Sequence, residues 1–195
     1  MLEKLVESLF KGVKKRKFGK YYLIYDRSCM VHIEGRLELE CHTYLGMSSV
    51  VNIADGAILS IGKNVCFSRG VLIAVPSGCK ISILDNVKIG AFSELHGDIS
   101  IGENTLIAPF LFASSGSHNY PLDSQSIREL DQLHPIPSRP ITIGENCWIC
   151  HSTHIFPGRH IGRCSIVSAS TIVVFDVPPN SLLKSHQSYS IKSLG

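Results

Sequence analysis

The chain has 195 residues, 44% hydrophobic and 18% charged, so it can bury one sizeable core and is too apolar to be disordered beyond its ends. The net charge of +3 conceals an asymmetry: residues 1–20 carry Lys4, Lys11, Lys14, Lys15, Arg16, Lys17 and Lys20 against Glu3 and Glu7, which leaves a slightly acidic body and argues against a nucleic-acid footprint on the fold. No run approaches the roughly 18 apolar residues of a membrane span, and seven cysteines, an odd number with no signal peptide ahead of them, place the chain in a reducing cytoplasm.

Leu2, Leu5, Val6, Leu9 and Val13 recur at helical spacing and predict a short amphipathic helix, followed by the basic stretch Lys14 to Lys20. Residues 1–20 are therefore expected as an amphipathic, basic helical unit capping the body, with peripheral contact to anionic lipid as the alternative use of the same pattern. The body runs over residues 21–183, and residues 184–195 form a tail.

From Tyr21 onward β-formers and small turn residues take over. One unit occurs four times, as Leu59-Ser60-Ile61-Gly62-Lys63-Asn64, Ile81-Ser82-Ile83-Leu84-Asp85-Asn86, Ile99-Ser100-Ile101-Gly102-Glu103-Asn104 and Ile141-Thr142-Ile143-Gly144-Glu145-Asn146. The starts are 22, 18 and 42 residues apart, and 18 is three hexads, one triangular coil of three short strands. The first spacing has four extra residues, assigned to a turn at Pro76-Ser77-Gly78; the third has 24 extra, assigned to a structureless loop over about 114–138, a kind of insertion that is usually functional. Ile143, Ile149, Ile155, Ile161, Val167 and Val173 then return every six positions without a miss. Six is three strand alternations, so all these side chains can point inward if the chain bends between strands. Asn, Gly and Asp at the bends tolerate left-handed backbone conformations.

The repeats at residues 50–180 resemble the hexapeptide-repeat acyltransferases. Ile141 to Ile149, Pro157-Gly158 and Asp176-Val177-Pro178-Pro179-Asn180-Ser181 are similar to the last coils of bacterial sugar O-acetyltransferases of the maltose and galactoside type. The resemblance implies an all-β, left-handed parallel β-helix assembled as a homotrimer, with active sites between subunits and acetyl-CoA as co-substrate.

The same resemblance puts the catalytic histidine at His118, at the start of the extruded loop. Acetyl transfer from a thioester to a hydroxyl needs a base near neutrality, and imidazole fits that demand. Its Nδ1 is expected to rest on a backbone carbonyl, with Asp123 ahead of Glu129 and Asp131 among the loop carboxylates. His151 stands where the family has a small residue whose backbone N–H faces the thioester carbonyl, and a backbone donor survives a change of side chain. Trp148 matches a tryptophan beside acceptor or cofactor, or packs between coils. Ser168 and Ala169 match the turn that contacts the pantetheine arm, with Lys184 as a phosphate partner and Lys192 as its alternative. Counting 18 residues per coil brings Glu94 beside Phe112, so Ser93, Glu94 and His96, together with Asn119 and Tyr120, are candidate acceptor contacts.

Cys147-Trp148-Ile149-Cys150 has zinc-like spacing but no second pair, so Cys147 reads as a buried thiol and no metal is expected. His151, His154 and His160 fall on successive sides of a triangular coil and point apart. The expected activity is acetyl-CoA-dependent O-acetylation of a sugar hydroxyl, in surface polysaccharide or glycan modification. The alternatives are N-acetylation of a nucleotide-linked amino sugar and a non-catalytic solenoid that binds a ligand.

Overall fold

A computed structural model describes residues 12–120 and 126–185. Over that range the chain winds into a three-sided parallel β-solenoid. Face 1 stacks Arg36–Leu39, Ile58–Ile61, Lys80–Ile83, Ile99–Ile101, Ile141–Ile143 and His160–Ile161. Face 2 stacks Cys66–Phe67, Lys88–Ile89, Leu106–Ile107, Trp148–Ile149, Ile166–Val167 and Leu182–Leu183. Face 3 has seven strands, Met30–Ile33, Val50–Ile53, Leu72–Val75, Glu94–His96, Phe112–Ser114, His154–Ile155 and Ile172–Val173.

The repeated units lie in register on face 1, where Leu59 pairs with Ile81, Ile81 with Ile99, and Ile99 with Ile141. Hexad side chains Ile143, Ile149, Ile155, Ile161, Val167 and Val173 are all no more than 1% exposed. Each such burial is worth about 1.5–3 kcal/mol against an exposed side chain. The bends work as the residue types require: Asn64, Asn86, Asn104 and Asn146 all have φ between 54° and 59°. The side chains of the first three also form a ladder up the corner, with Asn64 Nδ2 donating to Asn86 Oδ1 and Asn86 Nδ2 to Asn104 Oδ1, both at 3.1 Å.

The four extra residues form the expected turn, where Cys79 N–H donates to Pro76 O at 3.0 Å and Gly78 takes φ 76°. The large insertion leaves face 3 after Ser114 and returns to face 1 at Ile141. Arg139 N–H to Ser115 O, 2.9 Å, and the 2.7 Å contact of the Ser115 and Ser138 hydroxyls close its stem.

Two elements differ from expectation. The insertion is not structureless, because Ile127–Leu133 is a helix started by a capping box in which Ser126 Oγ accepts the Glu129 N–H and Glu129 reaches back to the Ser126 N–H. The basic stretch is not helical either: Lys14–Phe18 is a strand paired antiparallel with Tyr21–Tyr25, which pairs in turn with Thr43–Leu45. Gly19 at φ 57° makes that hairpin turn, and the tyrosine-rich partner strand supplies a β ladder that outweighs the helical spacing upstream. The apolar part of the expected N-terminal helix lies outside the described residues except for Gly12 and Val13. Among the described residues no helix is long and apolar enough to cross a membrane.

Candidate active site

The insertion supplies the most developed polar arrangement. His118 Nδ1 lies 2.6 Å from Asp131 Oδ2, across the gap between the outgoing stem and the helix. The other oxygen of Asp131 accepts from the Asn119 backbone N–H at 2.8 Å and from Asn119 Nδ2 at 2.9 Å, and Asn119 Nδ2 also donates to His134 O at 2.7 Å. These bonds hold the Asp131 carboxyl below its usual range, the Asn119 N–H first and the His118 ring second. An ionised Asp131 makes Nδ1 a protonated nitrogen, so in the neutral ring Nε2 is the one that carries the lone pair. The partner of His118 is thus a carboxylate rather than the favoured backbone carbonyl. It is also not the first carboxylate expected: Asp123 lies outside the described residues, and Glu129 is used in the capping box. The capping box sets the helix phase that turns Asp131 toward the stem, a signal present in the sequence as Ser126 and Glu129.

The His118 side chain is 81% exposed and lines a groove of about 490 Å³ beneath the loop stem, together with Phe112, Arg139, His154 and Phe156. The His154 ring packs edge-on against Phe112 at 4.7 Å and Phe156 at 5.1 Å, and burial lowers the pKa of its imidazole. The coil count holds here, since Glu94 pairs with Phe112 and Phe112 with His154. Glu94 Oε2 contacts His96 Nε2 at 3.1 Å on the next row, and the His96 ring lies 5.7 Å from Phe112.

Ser93 is a correction. It is fully buried, its Oγ accepting from the Leu111 N–H at 3.2 Å, so it braces the coil and touches nothing outside. Tyr120 is 86% exposed beyond His118.

The remaining candidates sit on the other side of the molecule. Trp148 projects outward from face 2, paired with Leu106 and Ile166, rather than packing between coils. His151 occupies the corner from face 2 to face 3, where its ring packs against Phe110 at 5.1 Å and its Nδ1 lies 2.8 Å from Ser152 Oγ. Among the described residues the His151 N–H has no acceptor. Ser170 N–H donates to His151 O at 2.9 Å, which sets Ala169, exposed, and Ser168, half-buried, one coil further on along the same corner. Lys184 is exposed just past Leu182–Leu183, and Ser168 N–H donates to Leu183 O at 2.9 Å. Lys192 lies outside the described residues.

These two groups belong to opposite edges of face 3. Ser152 N–H bonds Pro109 O at the start of the strand Phe112–Ser114, whereas His118 hangs from the stem that leaves at its end. A strand and its bends of that length span roughly 16 Å, so one protomer keeps its His118 apart from its own His151.

The cysteines and histidines of suggestive spacing are dispersed in the fold. Cys147 points inward, with its Sγ 3.2 Å from Gly162 O and its thiol pKa raised by burial, while Cys150 lies at the corner. His154 lies on face 3 and His160 on face 1. Among the described residues no group of three or more His, Cys, Asp or Glu side chains is arranged to hold a metal ion, and all seven thiols are free.

No protein-family model matches the chain. It is 29% identical over 134 residues to the colanic acid biosynthesis acetyltransferase WcaF of Escherichia coli K12, an alignment that covers 68% of each protein. It is 27% identical over 179 residues to the galactoside O-acetyltransferase of the same organism, covering 91% of this chain and 78% of that one. Among solved structures, a hexapeptide-repeat acetyltransferase from Vibrio cholerae superposes with a TM-score of 0.50 at 29% identity, over 63% of this chain and 66% of that chain.

Proposed function

We propose that this chain, which is similar in sequence and fold to hexapeptide-repeat acetyltransferases, is a left-handed β-helix acyltransferase that transfers an acetyl group from acetyl-CoA to a sugar hydroxyl in the making of a bacterial surface polysaccharide or glycan. The observation that carries this reading is the 2.6 Å contact of His118 Nδ1 with Asp131, which leaves Nε2 basic at the mouth of a groove. His118 Nε2 takes the hydroxyl proton as the oxygen attacks the thioester carbonyl, with no covalent acetyl-enzyme. The His151 N–H donates to the oxyanion that forms. The imidazolium returns its proton to the departing thiolate, giving an acetyl ester and free coenzyme A. Asp131 keeps the ring in the tautomer this needs and stabilises its charged form.

The site is assembled between adjacent subunits of a homotrimer, so that the His118 loop of one protomer meets the His151 corner, Ala169 and Trp148 of the next. Two features support this. Within one protomer the two groups are a face apart. Face 2 also carries an unbroken outward column of Leu106, Trp148, Ile166 and Leu182, in register and all exposed, and such a stripe favours cover by another chain. Ser168, Ala169 and Lys184 run along the neighbouring corner, suited to the pantetheine arm and a phosphate. Acetyl-CoA supply places the reaction in the cytoplasm.

The test is release of free thiol from acetyl-CoA with a panel of sugars and glycans, with mass spectrometry of the product. His118→Ala is expected to fold normally and lose roughly 10²- to 10⁴-fold in rate, the usual worth of a positioned base. Near-normal turnover would remove His118 from the mechanism, and an amide product would move the acceptor from a hydroxyl to an amine.

A further inference from the structure

The groove at His118 is not the end of the polar surface. A second cleft of about 450 Å³ opens on the other side of Ser114 and Gly116, residues that line both. The His96 ring lines this second cleft and lies 5.7 Å from the Phe112 ring, which lines the first, so an aromatic pair sits at their junction.

Small hydroxyl-bearing and polar groups make up much of the lining of the second cleft. Ser77 and Ser138 face it from the coil side and the loop side, His96 and Asp98 add half-buried polar groups, and Pro76 and Ile136 supply apolar walls. No lysine or arginine is among its lining residues; Asp98 contributes a carboxylate whose Oδ1 accepts the Lys80 N–H at 2.7 Å, and the Nε2 of His96 is already paired with Glu94 at 3.1 Å. A phosphate or pyrophosphate brought there would meet a carboxylate and no lysine or arginine. A neutral sugar, which presents hydroxyls at its rim and C–H groups on its faces, matches both the hydrogen-bonding groups and the apolar walls. Each cleft has the volume of a small-ligand site, about 300–1,000 Å³, and together they exceed what a single pyranose fills.

We propose that the acceptor is a neutral oligosaccharide or longer glycan. One sugar unit lies beside His118 in the first groove, and its neighbour in the chain lies in the second cleft between Ser77 and Ile136. This rests on the acetyl-transfer reading above and adds the substrate class. The second unit is remote from the reacting hydroxyl, so its contacts are made equally in the ground state and the transition state. They lower KM and leave kcat nearly unchanged.

The experiment measures thiol release from acetyl-CoA by the full-length protein with glucose, maltose, maltotriose and maltotetraose, with the matching galacto-oligosaccharides, and with UDP-glucose. The expected result is a rise of about tenfold in kcat/KM on going from one unit to two or three, carried by KM, with UDP-glucose no better than the monosaccharide. Two blocking variants on opposite walls, Ser77→Trp and Ile136→Trp, should each reduce the ratio of trisaccharide to monosaccharide kcat/KM toward one. Equal kcat/KM for one unit and for three, a preference for UDP-glucose, or an unchanged ratio in both variants overturns the second cleft while leaving acetyl transfer standing. Failure of every acceptor to give His118-dependent thiol release overturns the reaction and the cleft together.

Discussion

The Nδ1 of His118 sits 2.6 Å from Oδ2 of Asp131, and the other oxygen of that carboxylate binds both the backbone and the side chain of Asn119, the residue next to His118. One carboxylate therefore positions the imidazole and also pins the segment that carries it. Asp131→Asn keeps the shape but removes the charge that stabilises the imidazolium and holds the ring, so kcat should fall by at least about tenfold. His118→Ala should lose more, and the double variant should be no worse than His118→Ala alone, because the two residues act as a unit. Steady-state kinetics of the three variants check this.

The same pair sets how the loop answers to acid. The Asp131 carboxyl is held below its ordinary value of 3.8, so its contribution is fully present above that pH and is lost as the pH falls through the lower folded value. Hydrogen exchange at Asn119 and in the helix Ile127–Leu133 should be insensitive to Asp131 titration from pH 8 to pH 5 and should rise only below the ordinary carboxylate range. In Asp131→Asn that acid-induced step should be missing.

His154 gives a pH response of the same sense in a higher window. Burial between Phe112 and Phe156 lowers its pKa below the ordinary 6.5, so the folded protein prefers the neutral ring. Below that value the unfolded chain binds a proton that the folded chain resists, and stability declines as the pH falls. The drop in Tm between pH 7.5 and pH 5 should be smaller in His154→Phe than in the wild type.

Close stacking leaves some turns no room for a side chain. A Cβ on Gly144 would lie 2.6 Å from the backbone N of Arg163 in the next coil. Gly144→Ala should therefore cost about 1–3 kcal/mol by overpacking, read as a lower urea midpoint. Gly19→Ala, with nothing within 4 Å but φ 57°, should cost less and only through backbone strain.

In the proposed homotrimer the outward column on face 2 is a contact surface between subunits. Sedimentation should give a trimer, and Ile166→Asp, which puts a charge in the middle of that stripe, should shift it toward monomer. Loss of trimer with full activity in the monomer would refute a site shared between subunits.

Much of this molecule is legible in its residues because a solenoid is locally coded. Each inward Ile or Val of the hexads meets only its own coil and the two neighbours, so spacing alone identifies the core, and the pairing of Glu94 with Phe112 follows from counting. His118 is singled out only by the family resemblance, since a lone loop histidine has no periodicity to mark it. Ser93 departs from its expected role because strand alternation turns it inward between Phe92 and Glu94, where its hydroxyl meets the Leu111 N–H. The basic stretch Lys14 to Phe18 departs from expectation because the strand that captures it, Tyr21–Tyr25, lies downstream of the helical spacing.

The sequence by itself determined the coil: its period, its inward side chains, the asparagine bends and the place where an insertion leaves. Those depend on contacts between residues at a fixed separation, which a repeating pattern records. Only the tertiary structure decided that Asp131 rather than a backbone carbonyl holds His118, that the insertion contains a capped helix, and that His118 and His151 stand on opposite edges of one face. Those relations join segments of unrelated spacing, and their distances are set by how the loop stem closes on Ser115 and Arg139, which no periodicity encodes.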